Sequence, residues 1–315
     1  WYMDYKTTTT YSNRGLNSIQ NVETYTYDNP NHLQLSKMEK TESNGDVVAT
    51  TMKYPDDYQS PDNLQTLKDK NIVAIPIKAE TVKNGNQVNG RVVRYTDTGQ
   101  PSETYSYASS TLKPPAAHNA NQVVPSTDYI LKTDFTYDNS SDRIVSVQKN
   151  NAPGMAYIWD QNAKYVLASA VNASSQEIYF NGFEDTGGSS NARSGSKSHT
   201  GGSYTITTSD FNPSNPGDLV MTYWYWNGTK WVFSGEMPFS SSIASGGSLL
   251  DDVRVYPKDA QMTTYTYDPG VGVSSVTDAN NSTQYYIYDT FGRLSFIKDD
   301  KGNVVKKVEY HYGNN

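Results

Sequence analysis

The 315-residue chain carries 26 Lys and Arg against 33 Asp and Glu, and its net charge of −7 argues against non-specific nucleic-acid binding. It has no cysteine, which excludes a disulfide framework and any thiolate metal site, and no apolar run long enough to span a membrane. With 26 Tyr against 8 Phe and a mean hydropathy of −0.72, its interior must be built from rings whose hydroxyls stay wet or bonded, in a folded chain rather than a polar coil.

In chain order, the sequence opens on Trp1-Tyr2-Met3-Asp4-Tyr5, a tyrosine-rich strand pattern with no initiating methionine and no leader peptide. It is expected to be a piece of a longer polypeptide. An aromatic-x-Tyr-Asp tetrapeptide then recurs at Tyr25–Asp28, with Tyr27 and Asp28 as its last pair, and at Phe135–Asp138, with Tyr137 and Asp138. It returns at Tyr265–Asp268, with Tyr267 and Asp268, and at Tyr286–Asp289, with Tyr286, Tyr288 and Asp289. Weaker echoes lie at Tyr54-Pro55-Asp56, Tyr105-Ser106-Tyr107, Tyr157-Ile158-Trp159-Asp160 and Tyr310-His311-Tyr312. A repeat that cannot bury its own apolar face implies stacking on its neighbours, so the chain is expected to be built by addition.

The pattern lapses over 178–260, a segment rich in Gly and Ser. Strands are predicted there at Tyr204–Thr208, Leu219–Trp226, Lys230–Ser234 and Leu249–Tyr256, and Asn227-Gly228 predicts a type I′ hairpin turn. Short antiparallel strands over such a length predict a sandwich. Trp224 and Trp226 share one face of their strand, Tyr223 and Tyr225 the other. One face must supply core, and an exposed Trp pair could stack on a pyranose ring; both readings stand at this point.

The last stretch shows one unit most completely. Gln284–Asp289 alternates as a strand, Thr290-Phe291-Gly292 breaks it, Arg293–Lys298 forms a second strand, 299–303 a turn, and Val304–Tyr312 a third strand. Tyr286 and Tyr288 face the same way. Asp289 suits the strand end, where its carboxylate can accept turn amides, and Gly292 can supply a positive φ. The 21 residues between Tyr267 and Tyr288 fit two short strands and two turns, so each unit reads as a hairpin.

Tyr288-Asp289-Thr290-Phe291-Gly292-Arg293-Leu294, followed by Gly302, resembles the YD repeat of the Rhs and teneurin families. The resemblance covers about 1–177 and 261–315. It implies an all-β array of hairpins coiling into a shell or spiral segment. The edges of the intervening segment (Phe183-Glu184, Gly195-Ser196-Lys197 and Leu250–Tyr256) resemble jelly-roll modules of the carbohydrate-binding and galactose-binding-like type. That likeness implies an inserted antiparallel sandwich, and a structural calcium held by Glu184, the Lys197 carbonyl and Asp252; the alternative is that these acids are solvated turn residues. The expected organisation is therefore a YD-repeat segment at 1–177, a jelly-roll-like insert at 178–260 projecting from the wall, and a second YD-repeat segment at 261–315.

Catalysis finds little support. The four His (32, 118, 199 and 311) have no metal-ligand or triad spacing, the Gly-rich stretches lack a Lys-Ser/Thr ending, and the paired acids lie at turns. Some Rhs proteins cleave themselves at an Asp-Pro-x-Gly element, but Tyr267-Asp268-Pro269-Gly270 lies inside the array and reads as a repeat with a Pro-Gly turn. The sequence thus predicts a non-enzymatic structural segment of a large bacterial protein, secreted or at the cell surface, that encases a toxin or serves adhesion. Its partners would be neighbouring repeats of the same polypeptide, with a glycan or secretion machinery as further candidates. The alternative is a carbohydrate-binding or adhesion module at 178–260 that uses Trp224 and Trp226 and is displayed on the repeats.

Overall fold

Alternation of β-branched or aromatic residues with polar ones gives strands whose side chains point to two faces in turn, and the Asp, Asn and Gly clusters between them give turns. The computed structural model describes residues 2–11 and 18–312; Trp1 of the opening pattern lies outside them. The described chain is nearly all β and divides into two units, residues 1–135 and 136–315.

The first unit is an antiparallel meander. Its strands are β1 (Tyr5–Tyr11), β2 (Ser18–Thr26), β3 (Lys37–Thr41), β4 (Val47–Lys53), β5 (Lys78–Lys83), β6 (Asn86–Tyr95), β7 (Pro101–Tyr107) and β8 (Tyr129–Tyr137). Each pairs with the strand before it. Asn84 and Gly85 join β5 to β6 with φ of 49° and 82°, the two positive values that a type I′ turn requires. Between β4 and β5 lies a short helix, α1 (Leu64–Asp69). Its Leu64 and Leu67 are fully buried and share a core with Ile77, Val92 and Val123. That core also encloses charge: Lys78 and Glu80, both 4% exposed, form a 2.7 Å ion pair. Tyr129 donates to Glu80 at 2.7 Å, and Gln87 donates to the Tyr129 hydroxyl at 2.7 Å, so the buried carboxylate is hydrogen-bonded as well as paired.

In the second unit β9 (Ile144–Lys149), β10 (Met155–Trp159) and β11 (Val166–Val171) continue the antiparallel order. The chain then leaves this sheet and forms β12 (Tyr179–Asn181), β13 (His199–Thr200), β14 (Ser203–Thr205), β15 (Leu219–Trp226), β16 (Trp231–Phe233), β17 (Met237–Pro238), β18 (Ser242–Ala244) and β19 (Leu249–Pro257). It returns as β20 (Gln261–Asp268), which pairs directly with β11, and continues through β21 (Gly272–Thr277), β22 (Thr283–Tyr288), β23 (Leu294–Lys298) and β24 (Val304–Lys307). The third strand predicted for the last unit is shorter than expected, ending at Lys307 rather than Tyr312.

The excursion builds a sandwich. One sheet has the order β12-β19-β15-β16, with β13 on β19 and β17 on β15, and β14 pairs with β18 separately. Phe183, Met221, Tyr223, Leu250, Val253 and Val255 form the core together with Ile206 and Ile243. The Asn227-Gly228 hairpin forms, but not as type I′: only Gly228 has a positive φ (97°). Four residues separate the paired Trp226 and Trp231, and Asn227 Oδ1 accepts the amides of Thr229 and Lys230, both at 3.0 Å.

The insert does not project as a free decoration. Alternation along β15 sends Met221 and Tyr223 into the sandwich core and Val220 to the opposite face. There Val220, Phe180 and Tyr256 pack on Ala156, Ala168, Ala170 and Met262 of the hairpin sheet. Small alanines on β10 and β11 let the aromatic rings approach closely, and this shared core fixes the insert flat against its sheet.

Candidate functional site

The YD motif resolves into two local devices, a turn and a latch. In the turn, an Asp at the strand end accepts two backbone amides of the loop that follows. Asp289 Oδ1 takes Phe291 N at 2.9 Å and Arg293 N at 3.0 Å, while Asp289 Oδ2 takes Arg293 Nε at 2.8 Å. Gly292 has φ of 72°, and the Arg293 guanidinium lies over Phe291 and Tyr310 at 5.0 and 4.7 Å. The Arg293 contact holds the Asp289 carboxyl below its usual range. Asp138 does the same with Ser140 and Ser141. Asp160, Asp278 and Asp299 also serve this role, although Asp160 follows a tryptophan and the other two follow no aromatic. Asp28 and Asp268 depart from it: Asp28 contributes its amide to Ser36 Oγ, and Asp268 its carbonyl to Val271 N.

The latch is the aromatic before the Asp. Pairing slips by one residue at Trp159, Tyr267 and Tyr288, and such a bulge re-aims the side chain. Trp159 Nε1 donates to the Ile144 carbonyl at 2.8 Å, Tyr267 Oη to Val166 at 2.8 Å, and Tyr288 Oη to Val273 at 2.9 Å. Tyr310, which precedes His311 rather than an Asp, acts in the same way, its Oη donating to Leu294 at 3.1 Å. The accepting residues follow a rule. Val166 is the strand partner of Trp159, Val273 of Tyr267, and Leu294 of Tyr288. Tyr267, Tyr288 and Tyr310 therefore each bond the residue that faces the previous aromatic, and the step from Trp159 to Tyr267 spans the insert. Tyr165 adds a stacked contact to Tyr267 at 4.5 Å. Gly272 leaves room for the latch, since a Cβ there would lie 2.6 Å from Tyr288 Oη. Tyr286 is half-buried, Tyr27 meets Tyr2 at 4.9 Å, and burial raises the Tyr137 phenol.

Two arginines tie the insert to the hairpins, and no local pattern in the sequence marks them. Arg254, 1% exposed, donates to Thr264 Oγ1 and to the carbonyls of Asp278 and Thr277. Arg193 lies 4.2 Å over the Trp224 ring and bonds Tyr285 Oη, which itself donates to the Arg193 carbonyl at 2.7 Å. Trp224 therefore faces the hairpins with Arg193 on its ring and Phe233 at 5.2 Å. Trp226 meets Trp231 edge-on at 5.8 Å. Both Trp224 and Trp226 are half-buried, so the pair is neither open platform nor full core.

The acids expected to hold calcium come together. Glu184 accepts Ser196 N, Ser196 Oγ and Lys197 N, so Lys197 meets it through its amide. Asp252 Oδ1 accepts Ser194 Oγ at 2.7 Å, whereas Asp252 Oδ2 is buried with no hydrogen-bond partner among the described residues. Burial, opposed by the Ser196 and Lys197 hydrogen bonds and reinforced by the Asp252 charge, raises the Glu184 carboxyl above its usual value. Asp251 is raised well above its own, by burial first and the Asp252 charge second. Two carboxylates that repel and one orphaned oxygen fit a hard cation; among the described residues no cluster of three His, Asp or Glu surrounds the point.

No protein-family model matches the chain, and no curated protein sequence matches it. Among solved structures, it is similar to the crystal structure of TcdB2-TccC3-Cdc42 at 11% identity and a TM-score of 0.32, over 96% of this chain and 13% of that one. It is also similar to the crystal structure of TcdB2-TccC3-TEV, at 12% identity and a TM-score of 0.16, over 98% of this chain and 23% of that one. The Tc holotoxin pore of Photorhabdus luminescens with a mutated TccC3 is similar at 11% identity and a TM-score of 0.14, over 97% of this chain and 23% of that one. The chain spans less than a quarter of each.

Proposed function

We propose that the chain is a non-enzymatic wall segment of a larger, exported Rhs/YD-repeat protein of the toxin-complex kind. The observation that carries this reading is the latch series, in which Tyr267, Tyr288 and Tyr310 each bond the residue paired with the aromatic before it, beginning from Trp159. Such a rule adds hairpins in register at each step and needs no ligand, cofactor or catalytic group. No helix among the described residues is long and apolar enough to cross a membrane. Within this reading the insert stiffens the wall, with Glu184 and Asp252 holding a calcium that offsets their repulsion and the Lys197 carbonyl as a further ligand. Electron microscopy of the parent polypeptide tests the proposal: a hollow β-walled particle is expected, and an extended string of separate domains would overturn it.

A further inference from the structure

β1 reads Tyr5-Lys6-Thr7-Thr8-Thr9-Thr10-Tyr11, a run of β-branched and aromatic residues with no Gly or Pro. One side of it pairs with β2 along its whole length, without a slip of register. The other side meets no strand among the described residues. Every side chain of β1 is exposed, as are Ile19 and Val22 on β2.

An open strand edge invites another strand, and folded proteins blunt it by shortness, bulges or lysines. β24 has all three: it is four residues long, meets β23 through a bulge and carries Lys306 and Lys307. β1 is longer and unbulged, and its single lysine, Lys6, lies 4.0 Å from Glu23 of β2. The charge on this edge is therefore already matched within its own chain.

The edge is also complementary to itself. Antiparallel pairing about Thr8 sets Tyr5 against the partner's Tyr11, Lys6 against the partner's Thr10, and Thr7 against the partner's Thr9. Tyrosines then close both ends, threonines fill the middle, and no like charges meet. Parallel pairing in register would instead set Lys6 against the partner's Lys6. From this pattern we infer that the free edge of β1 takes a second copy of the chain, as an antiparallel two-fold pair of β1 strands. The inference goes beyond the wall reading and does not rest on it, since β1 and β2 carry none of the latches from Trp159 to Tyr310.

One strand edge is a small interface, so the dimer should be reversible and should dissociate on dilution. Sedimentation velocity of the 315-residue chain over a range of concentrations reads it directly. Thr8→Lys and Thr8→Glu each bring like charges together at the two-fold axis and should weaken the dimer about fivefold. An equimolar mixture of the two variants sets Lys against Glu and should recover at least the parent's affinity, a recovery that misfolded variants cannot give. The register is read separately, because the chain has no native Cys. Thr8→Cys should form a disulfide-linked dimer on oxidation, whereas Thr10→Cys, whose two copies would lie about 13 Å apart along the strands, should not. A chain that stays monomeric at every concentration would overturn the assignment and leave the edge to a neighbouring hairpin of the parent polypeptide. Assembly beyond a dimer, a mixture that fails to recover, or equal cross-linking at both positions would each overturn it as well. None of these results bears on the particle shape that tests the wall.

Discussion

At residue scale, the latch makes a claim about pairs of positions. Tyr288→Phe removes the donor to the Val273 carbonyl and should cost about 1 kcal/mol. Gly272→Ala should cost more, because its Cβ would fall 2.6 Å from Tyr288 Oη and 3.1 Å from Cζ, displacing the ring and its bond together. The double variant Gly272→Ala, Tyr288→Phe removes the oxygen that clashes, so the two losses should add to less than their sum. Urea melts of the four proteins in this cycle check it, and strict additivity would mean the hydroxyl and the glycine do not interact.

The carboxylates make a second residue-scale claim, about pH. Side-chain and backbone hydrogen bonds hold Asp138, Asp289 and Asp299 below the unfolded value. Their contribution is present above about pH 4 and is lost as the pH falls through their lower folded values. Glu184 and Asp251 run the other way. Their folded values are raised, so their contribution is largest at low pH and declines as the pH rises through those values. The insert should therefore melt higher at about pH 5 than at about pH 7, and the turns should weaken only below about pH 4. Calcium favours the ionised acids and should remove the gain on acidification, whereas Asp252→Ala should abolish any difference between calcium and chelator. Tryptophan fluorescence reports the insert, which holds Trp224, Trp226 and Trp231. An insert transition indifferent to chelator at pH 7 would mean that Glu184 and Asp252 bind no cation.

Among the elements, legibility follows the range of the interaction. Leu219–Trp226 was readable as a strand because its period of two is local, and Asp289 as a turn residue because its partners lie within four positions. Asp278 and Asp299 perform the same task without a preceding tyrosine, so a search keyed to Tyr-Asp passes over them. The flat seating of the insert was not readable, because its determinants are alanines on β10 and β11 and an arginine whose acceptors lie on the β20–β21 hairpin and the turn beyond it. The hydroxyl ladder beneath it, with Thr266 to Ser275 at 2.6 Å and Thr277 to Thr283 at 2.9 Å, looks in sequence like ordinary exposed alternation. Arg254→Leu tests this seating. It strands the Asp278 and Thr277 carbonyls and removes a positive neighbour of Asp252, a loss of about 3 to 5 kcal/mol for a buried charged partner. Limited proteolysis should then cut the 172–174 connection while the hairpins persist; resistance equal to the parent would locate the seating in the apolar contacts alone.

For the molecule as a whole, stability built by addition has a consequence that a single cooperative core lacks. Deleting 284–305 removes most of β22, all of β23 and the first residues of β24. The outer edge of β21 then loses Tyr285 opposite Ser275 and Gln284 opposite Val276, and the Val273 carbonyl loses its latch. It also removes Tyr285 from Arg193, so the insert loses one of its two arginine ties. An edge of unpaired backbone next to exposed aromatic faces is a template for another chain. The deletion variant is therefore expected to self-associate and to melt lower, with its remaining latches, Trp159 to Ile144 and Tyr267 to Val166, intact. Light scattering after size exclusion and a thermal melt decide the matter. A monomeric variant with the parent's melting temperature would mean that hairpins are independent beads rather than courses of one wall, and the latch series would then be a regularity of sequence without a share in stability.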